Sequence, residues 1–534
     1  MGESSKKQTF LHGAALLALA TAVVKVIGAF YKIPLKMIIG DQGYGYFITA
    51  YDIYSVLLMI STAGLPIAMS RMISQASSLG HYNQVRRVYQ TARGIFLGLG
   101  VLSTALMMGL SATLADWLEQ PNAKYAIFCL GPCALLMCVM ATFRGFFQGQ
   151  GNMRPTSNSQ MLEAVFKLVI GLVAAYAAMR YTNSIPLAAG AAILGVTVSC
   201  LVSAIYLKAL QSPAYRELPV TNETPWSYGR TAKNLLSIAV PITIGSAGLQ
   251  FLTVVEQKLY MTQLLTAGGM SQTTADITKG IYNMTQTVFN MPCAFMIPIA
   301  TSVLPAITAN LTLGNDGAVR ATEESAARIT GLLSLPCAVG LAILSRPVMS
   351  LLGGYSGENL DLAGKLLGVL GVNVFLYAII QYTNAVLQSH GKPSVPVVNM
   401  LLGGVLKLAV VYVLVGNPHL GILGAPLGML LCYGLIGAMN LSAIARLVPQ
   451  KPKLLQNILR PFLPAALMGV AVWGCYRGLV YILGQNGSRL LLCGIPVCVG
   501  VAVYCVCIVV FKSIRKEDCL LLPKGEKIAK LLRL

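Results

Sequence analysis

Charge is what this sequence has least of. Only 11% of its 534 residues are Asp, Glu, Lys or Arg, against about 25% in a soluble domain. That is too little to cover a chain of this length in water, which excludes a large soluble globular protein. Acids are scarcer than bases, 18 against 39, leaving a formal net charge of +21. Histidine is rarer still, with four residues, and no cysteine pair stands beside them at metal-ligand spacing. The 13 cysteines are scattered, many inside apolar runs such as Cys493, Cys498, Cys505 and Cys507, where they read as small hydrophobes. There is no P-loop, no GxSxG, no HExxH and no clustered acidic pair of the kind that binds a metal–sugar-nucleotide complex. The chain is therefore expected not to be an enzyme and to carry no cofactor.

What the sequence does have is apolar length. Hydrophobic residues make up 56% and the mean hydropathy is +0.69. Leu490 to Phe511 holds no charge, nor does Gly94 to Leu110; a bilayer crossing needs about 20 such residues. The 52 glycines and 25 prolines suit membrane helices, where close packing and kinks are tolerated. Met1 to Gln8 is short and polar, and the apolar run after it is too long for a signal h-region, so it predicts a first membrane helix. The expected fold is an all-α polytopic membrane protein of about fourteen transmembrane helices, near 10–39, 44–73, 88–114, 122–148, 157–180, 184–210, 231–263, 277–308, 320–345, 360–388, 394–416, 420–446, 455–482 and 488–512.

The surplus of cations lies in short loops, not on one soluble face, which argues against a nucleic-acid partner. One set of alternate loops holds Lys6, Lys7, Arg86, Arg87, Arg144, Arg154, Arg216, Arg230, Lys392, Arg446 and the basic tail from Lys512 onward. The other set is poorer in cations. An even number of spans with this bias predicts both termini in the cytoplasm.

The chain also repeats itself. QGQGNMRPTSNSQMLEAVFKL from Gln148 is echoed by QSHGKPSVPVVNMLLGGVLKL from Gln388, pairing Gln148 with Gln388, Gly151 with Gly391 and Lys167 with Lys407. Leu65-Pro66-Ile67-Ala68 is echoed by Ile297-Pro298-Ile299-Ala300 at a slightly shorter offset. These matches predict two pseudo-symmetric six-helix bundles, at 1–215 and 216–450, and two extra helices with a basic tail at 451–534. Parallel repeats of this kind are a transporter architecture with the substrate site between the halves.

Polar residues inside apolar spans are costly, roughly 2.5–3.5 kcal/mol for a cation on insertion scales, and so mark sites or pairs. Lys25, Lys32 and Lys36 fall on one stripe of the first span; Lys32 and Lys36 can also snorkel to an interface. Gln160, Glu163 and Lys167 share a face of the fifth, where Glu163 and Lys167 can pair with each other. The seventh span carries Glu256 and Lys258, the eighth Gln286 among other amides, and the eleventh Lys407 with no acid near it. Arg71 ends the second span just after Pro66. Asp52, Glu163 and Glu256 are the few embedded acids, so the expected cavity is cationic and suits a phosphate or pyrophosphate. Glu256 and Asp52 are the candidates for coupling to Na⁺ or H⁺, with pairing to a nearby cation the alternative for Glu256; the membrane potential is the other expected driving force.

Phe143-Arg144-Gly145-Phe146-Phe147-Gln148-Gly149 with Asn152-Met153 and Pro155-Thr156, the opening Val24 to Leu35, and Gly64-Leu65-Pro66 with Ser70-Arg71 together resemble the stage V sporulation protein B and polysaccharide biosynthesis group. That group lies within the multidrug/oligosaccharidyl-lipid/polysaccharide exporter superfamily, and the resemblance runs along essentially the whole chain. It includes lipid II flippases, which implies translocation of an undecaprenyl-pyrophosphate-linked cell-wall precursor across a bacterial cytoplasmic membrane by alternating access. Other lipid-linked polysaccharide repeat units, a drug or a non-transporting scaffold role in wall assembly are the alternatives. The expected partners are the lipid-linked anionic glycan, membrane lipids and the cell-wall synthesis machinery, with the chain acting as a monomer. The resemblance places Lys25 where those flippases have an Arg and makes Lys32 the nearest match to a second cation. Gln286 stands where the relatives carry another Arg, which implies either a different anion geometry or that Lys258 or Lys279 supplies the charge. The substrate-binding candidates are thus Lys25, Lys32, Arg71, Lys167, Lys258, Gln286 and Lys407. Helices thirteen and fourteen, rich in Leu, Val and Cys, are expected to flank a groove for the polyprenyl tail.

Overall fold

A bilayer offers the backbone no water to bond, so an apolar chain of this composition has to satisfy its own peptide groups within helices. The computed structural model describes residues 3–59, 64–449, 452–484, 487–511 and 513–514. Within those stretches the side chains of residues 3–22, 25, 26, 29, 58, 65, 241, 242, 244–249, 297–302, 305 and 306 lie outside the description. The described chain contains helices and no strand. In order they are α1 (Glu3–Met59), α2 (Leu65–Ser78), α3 (Tyr82–Gly109), α4 (Ser111–Trp117), α5 (Lys124–Gly149), α6 (Arg154–Thr182), α7 (Ile185–Arg216), α8 (Tyr228–Thr266), α9 (Gln272–Thr312), α10 (Asp316–Ile343), α11 (Ser345–Leu352), α12 (Gly357–Ser389), α13 (Ser394–Val415), α14 (Gly424–Leu447), α15 (Leu454–Leu459), α16 (Phe462–Leu483) and α17 (Arg489–Val510).

Local sequence explains many of the ends. Proline near the first helical position opens α2, α6 and α7, where its missing N–H has no helical partner to lose. Asn315 caps α10 by accepting from the Ala318 amide at 3.0 Å, and Ser227 caps α8 through the Arg230 amide. Gly40, at φ 70 and ψ −179, breaks the 57-residue α1 into two arms, a conformation that glycine adopts without Cβ strain. Two expected single spans are divided: the third is α3 with α4, and the thirteenth is α15 and α16, separated at Arg460 and Pro461. The second covers the rest of α1 and the start of α2, and residues 60–63 between them lie outside the description.

The all-α membrane architecture therefore holds. Ten helices among the described residues are long and apolar enough to cross a bilayer. α1, α8 and α9 are long enough but are not among those ten, so these helices do not establish the count of fourteen.

The chain forms two compact units, 1–280 and 281–534, and the division falls inside α9. In the first, α7 packs against α5 and α6, α3 against α5, and α8 against α1, α2 and α3. In the second, α10 packs against α12, α13 against α14, and α16 against α17. The pair α16–α17 joins α10 through Leu332, Leu335, Met468, Val472, Tyr504 and Ile508, with the Tyr504 hydroxyl donating to the Leu332 carbonyl at 2.7 Å. The tail at 515–534 and the side chains of the 297–302 echo fall outside the described residues.

Candidate functional site

The second arm of α1 carries an aromatic and polar stripe into the first unit. Tyr44, Phe47, Tyr51 and Tyr54 recur at helical spacing, and each ring meets the next at 5.1–6.3 Å between centroids. Tyr51 is the hub. Lys32 Nζ, from the first arm of α1, lies 5.1 Å from its ring centroid. Lys167 Nζ, from α6, lies 5.6 Å from the same centroid and donates to the hydroxyl at 3.4 Å. A cation over an aromatic face gains from the ring quadrupole, more so when partly desolvated. Two cations thus meet at one ring. Lys167 is buried and Lys32 half-buried.

The expected pairing of Glu163 with Lys167 is not what forms. Glu163 Oε2 accepts from Arg144 Nη2 at 3.1 Å and Oε1 from the Tyr54 hydroxyl at 3.1 Å. The Arg144 guanidinium, held also on Ser159 Oγ at 3.0 Å, outcompetes the lysine one turn along α6 because both carboxylate oxygens are already engaged.

Towards the Gly40 bend lies a second network, with Thr49, Gln120, Gln257, Asp276 and Lys279 as its buried centre. Lys279, on the first turns of α9, is 0% exposed. It donates to Gln120 Oε1 at 2.7 Å and to the Thr49 hydroxyl. The Gln257 amide, assigned by donor–acceptor complementarity, turns its oxygen to Lys279 Nζ (2.6 Å) and its nitrogen to Asp52 Oδ2 (2.6 Å). The charges acting on Asp52 are those of Lys279, Lys32 and Glu256. Asp276, three residues before Lys279, is 1% exposed. It accepts from the Tyr46 hydroxyl at 2.9 Å and from Gln120 Nε2 at 2.8 Å. Gln42 and Asn122 donate in turn to Tyr46. The close approach of α9 depends on Gly280: a Cβ there would lie 2.0 Å from the Asp41 carbonyl oxygen.

The structure gathers Lys32, Lys167, Asp52 and Glu256 in the first unit. Glu256 is buried beside Gln257. Lys258 is committed elsewhere, paired with Glu119 at 2.6 Å. Lys36 pairs with Asp41 at 3.4 Å. Arg71 is exposed on α2 and takes part in none of the described hydrogen bonds or ion pairs. Gln286 and Lys407 are half-buried in the second unit, on α9 and α13. The Lys25 side chain lies outside the described residues.

Sequence reading missed Thr49, Gln120, Gln257 and Asp276. The i, i+3 pair Asp276–Lys279 and the stripe Tyr46, Thr49, Asp52 were the available signals. With Asp276 bonded to Gln120, Glu119 to Lys258 and Asp41 to Lys36, several cations of this unit are already engaged by acids or by the acids' neighbours. Lys32 and Lys167 are two cations from different helix segments whose described contacts converge on one ring, that of Tyr51.

A family described as "Polysaccharide biosynthesis protein" matches residues 10–311, and one described as MatE matches residues 280–413. Stage V sporulation protein B of Bacillus subtilis (strain 168) is 24% identical over 528 residues, covering 97% of this chain and 98% of that protein. Lipid II flippase MurJ of the same organism is 24% identical over 520 residues, covering 93% and 94%. Among solved structures, "Lipid II flippase MurJ, inward closed conformation" superposes with a TM-score of 0.68 at 14% identity, covering 95% of this chain and 100% of that one. The matches are to membrane transporters and flippases, not to enzymes.

Proposed function

Because this chain belongs to the polysaccharide biosynthesis protein family, we propose that it translocates an undecaprenyl-pyrophosphate-linked cell-wall precursor, lipid II in the first instance, across the bacterial cytoplasmic membrane. Its full-length relatives include a lipid II flippase and a sporulation protein, which supports a lipid-linked precursor as cargo. The observation that carries the reading is the pair of cations at Tyr51. Lys32 and Lys167 come from different helices and converge on one ring. A pyrophosphate entering there would exchange weak cation–π contacts for charge-assisted hydrogen bonds, which are roughly twice as strong as neutral ones. Both lysines act as point charges with rotatable donors, so they can follow a phosphate as it moves. Asp52 lies close enough to Lys32 to act on its charge, and Glu256 close enough to act on Asp52; these are the groups to which a coupling proton or Na⁺ would bind, with both termini cytoplasmic and access alternating between the two membrane faces.

The test is translocation in cells depleted of their own flippase. Lys32→Ala and Lys167→Ala, each at normal expression, should cut transport of lipid II by tenfold or more, since losing a charge from a desolvated contact costs about 2–5 kcal/mol and about 1.4 kcal/mol is tenfold. Lys→Arg at either position should keep part of the activity. Normal transport by both alanine variants overturns the anion-site reading. Transport of another lipid-linked repeat unit but not lipid II moves the cargo within the same class.

A further inference from the structure

The outer face of the first unit carries a cavity of about 320 Å³ among α3, α5 and α7. Its walls are apolar, with Leu97, Val139, Phe143 and Ile205 among them, and its two charged lining residues are Arg93 and Lys208. Both cations are exposed, and neither has an acidic partner among the described residues. The surrounding surface is built for lipid: α3 exposes Leu99, Leu102 and Leu106, and α7 exposes Leu194 and Leu201.

The two cations lie near one end of the unit. The 217–227 segment bonds to the start of α3, with Glu223 Oε1 accepting from the Asn83 amide at 2.6 Å, so the start of α3 and the end of α7 lie together. At about 1.5 Å per residue, Arg93 is some 16 Å along α3 from Tyr82, and Lys208 about 12 Å from the end of α7. In the hydropathy reading both stand near the ends of their spans, 88–114 and 184–210, from which long cationic side chains reach towards anionic headgroups at the interface.

We propose that this cavity binds an anionic glycerophospholipid, its phosphate held by Arg93 and Lys208 and the upper part of one acyl chain lying against Leu97, Phe143 and Ile205. Arg supplies a fork for two phosphate oxygens and Lys a point charge. The site is separate from the Tyr51 cluster and does not rest on the identity of the transported cargo. Basic pockets between membrane helices suit such headgroups, and each cation near an anionic surface is worth about fivefold in affinity, or about twenty-fivefold for the two.

Native mass spectrometry of the full chain, titrated in detergent with phosphatidylglycerol or with phosphatidylcholine, tests this. The wild type should retain one phosphatidylglycerol more than the Arg93→Gln/Lys208→Gln double variant, with retention falling about twenty-fivefold, and it should show no such preference for phosphatidylcholine. Arg320→Gln, on α10 of the second unit, is the control and should change nothing. Equal phosphatidylglycerol retention by wild type and double variant overturns the proposal. So does equal retention of phosphatidylcholine, or loss in the double variant of a co-purified polyprenyl pyrophosphate in place of phosphatidylglycerol. If the double variant fails to fold by circular dichroism, unchanged retention in both single variants overturns it.

Discussion

Compare the interior around Lys279 with the interior around Asn440. In the first unit, Lys279 is surrounded by Thr49, Gln120 and Gln257, with Asp52 and Asp276 close enough to act on its charge. In the second, Asn440 joins three helices through neutral groups: its Nδ2 donates to Thr383 Oγ1 at 3.0 Å and to Asn384 Oδ1 at 2.8 Å, and its Oδ1 accepts from Asn399 at 2.8 Å. Both regions tie α-helices together through buried polar groups, yet the consequences differ. An ionic network is costly to assemble and costly to break, because removing one partner strands the other in a dry interior. A carboxamide network strands no charge. It holds the fold, while the ionic network has groups that can exchange a proton or an ion.

The sharpest way to break the comparison is to remove one charge. Lys279→Ala leaves the buried Asp276 and the half-buried Asp52 without this cation and should destabilise the first unit by about 3–5 kcal/mol, read as a fall in the detergent unfolding midpoint. Asp52→Asn with Lys279→Gln removes one charge of each sign and should recover about half of that loss, the coupling expected for residues joined in one hydrogen-bond network, here through Gln257. If the double variant is no better than the single, the network is not electrostatic. Asn440→Ala in the second unit should cost less, about 1–2 kcal/mol at about 0.6 kcal/mol per interhelical hydrogen bond. A loss as large as that of Lys279→Ala would erase the distinction between the two interiors.

The smallest expected effect lies outside the membrane-spanning segments. Burial pushes the Glu223 carboxyl up, but hydrogen bonds from Thr221 and from the Gln84 and Asn83 amides outweigh it and hold the group below the usual carboxylate range. A lowered carboxyl contributes its stability fully above its unfolded value, about 4.3, and loses it as pH falls through the folded value. Proteolysis within 217–227 should therefore be slow at neutral pH and accelerate only in acid below about pH 4. Glu223→Gln should cleave faster at neutral pH and show little further change on acidification. A wild-type profile that stays flat down to pH 3 contradicts the anchoring role.

How much of the site could be read from sequence depended on whether a residue's partner lay on the same helix. Lys32 and Lys167 were picked out as cations in apolar spans, and both reach Tyr51. Glu163 stands out in sequence too, but the pairing its spacing offers is with Lys167 on its own helix; Arg144 comes from α5, and no periodicity along α6 could show that. Lys258 carried the right charge and spacing for an anion site, yet it is paired with Glu119 from the α4–α5 connection. Asp276 stood at a helix start, where hydropathy treats an acid as solvated, and it is buried because Gly280 lets α9 approach Asp41.

Composition and hydropathy alone determined that this chain is a membrane-embedded helical protein, since the absence of water leaves an apolar backbone few other ways to bond itself. The quoted motifs placed it within a family for the same reason that motifs work at all: Gly, Pro and Arg at fixed offsets encode bends and buried contacts. Which charges are balanced and which remain available was decided only in three dimensions. Desolvation makes every buried ion seek its partner across helices, and sequence spacing reports only neighbours along one. Lys32 and Lys167 differ from Lys36, Lys258 and Lys279 not in type or hydropathic setting but in what the fold brought beside them.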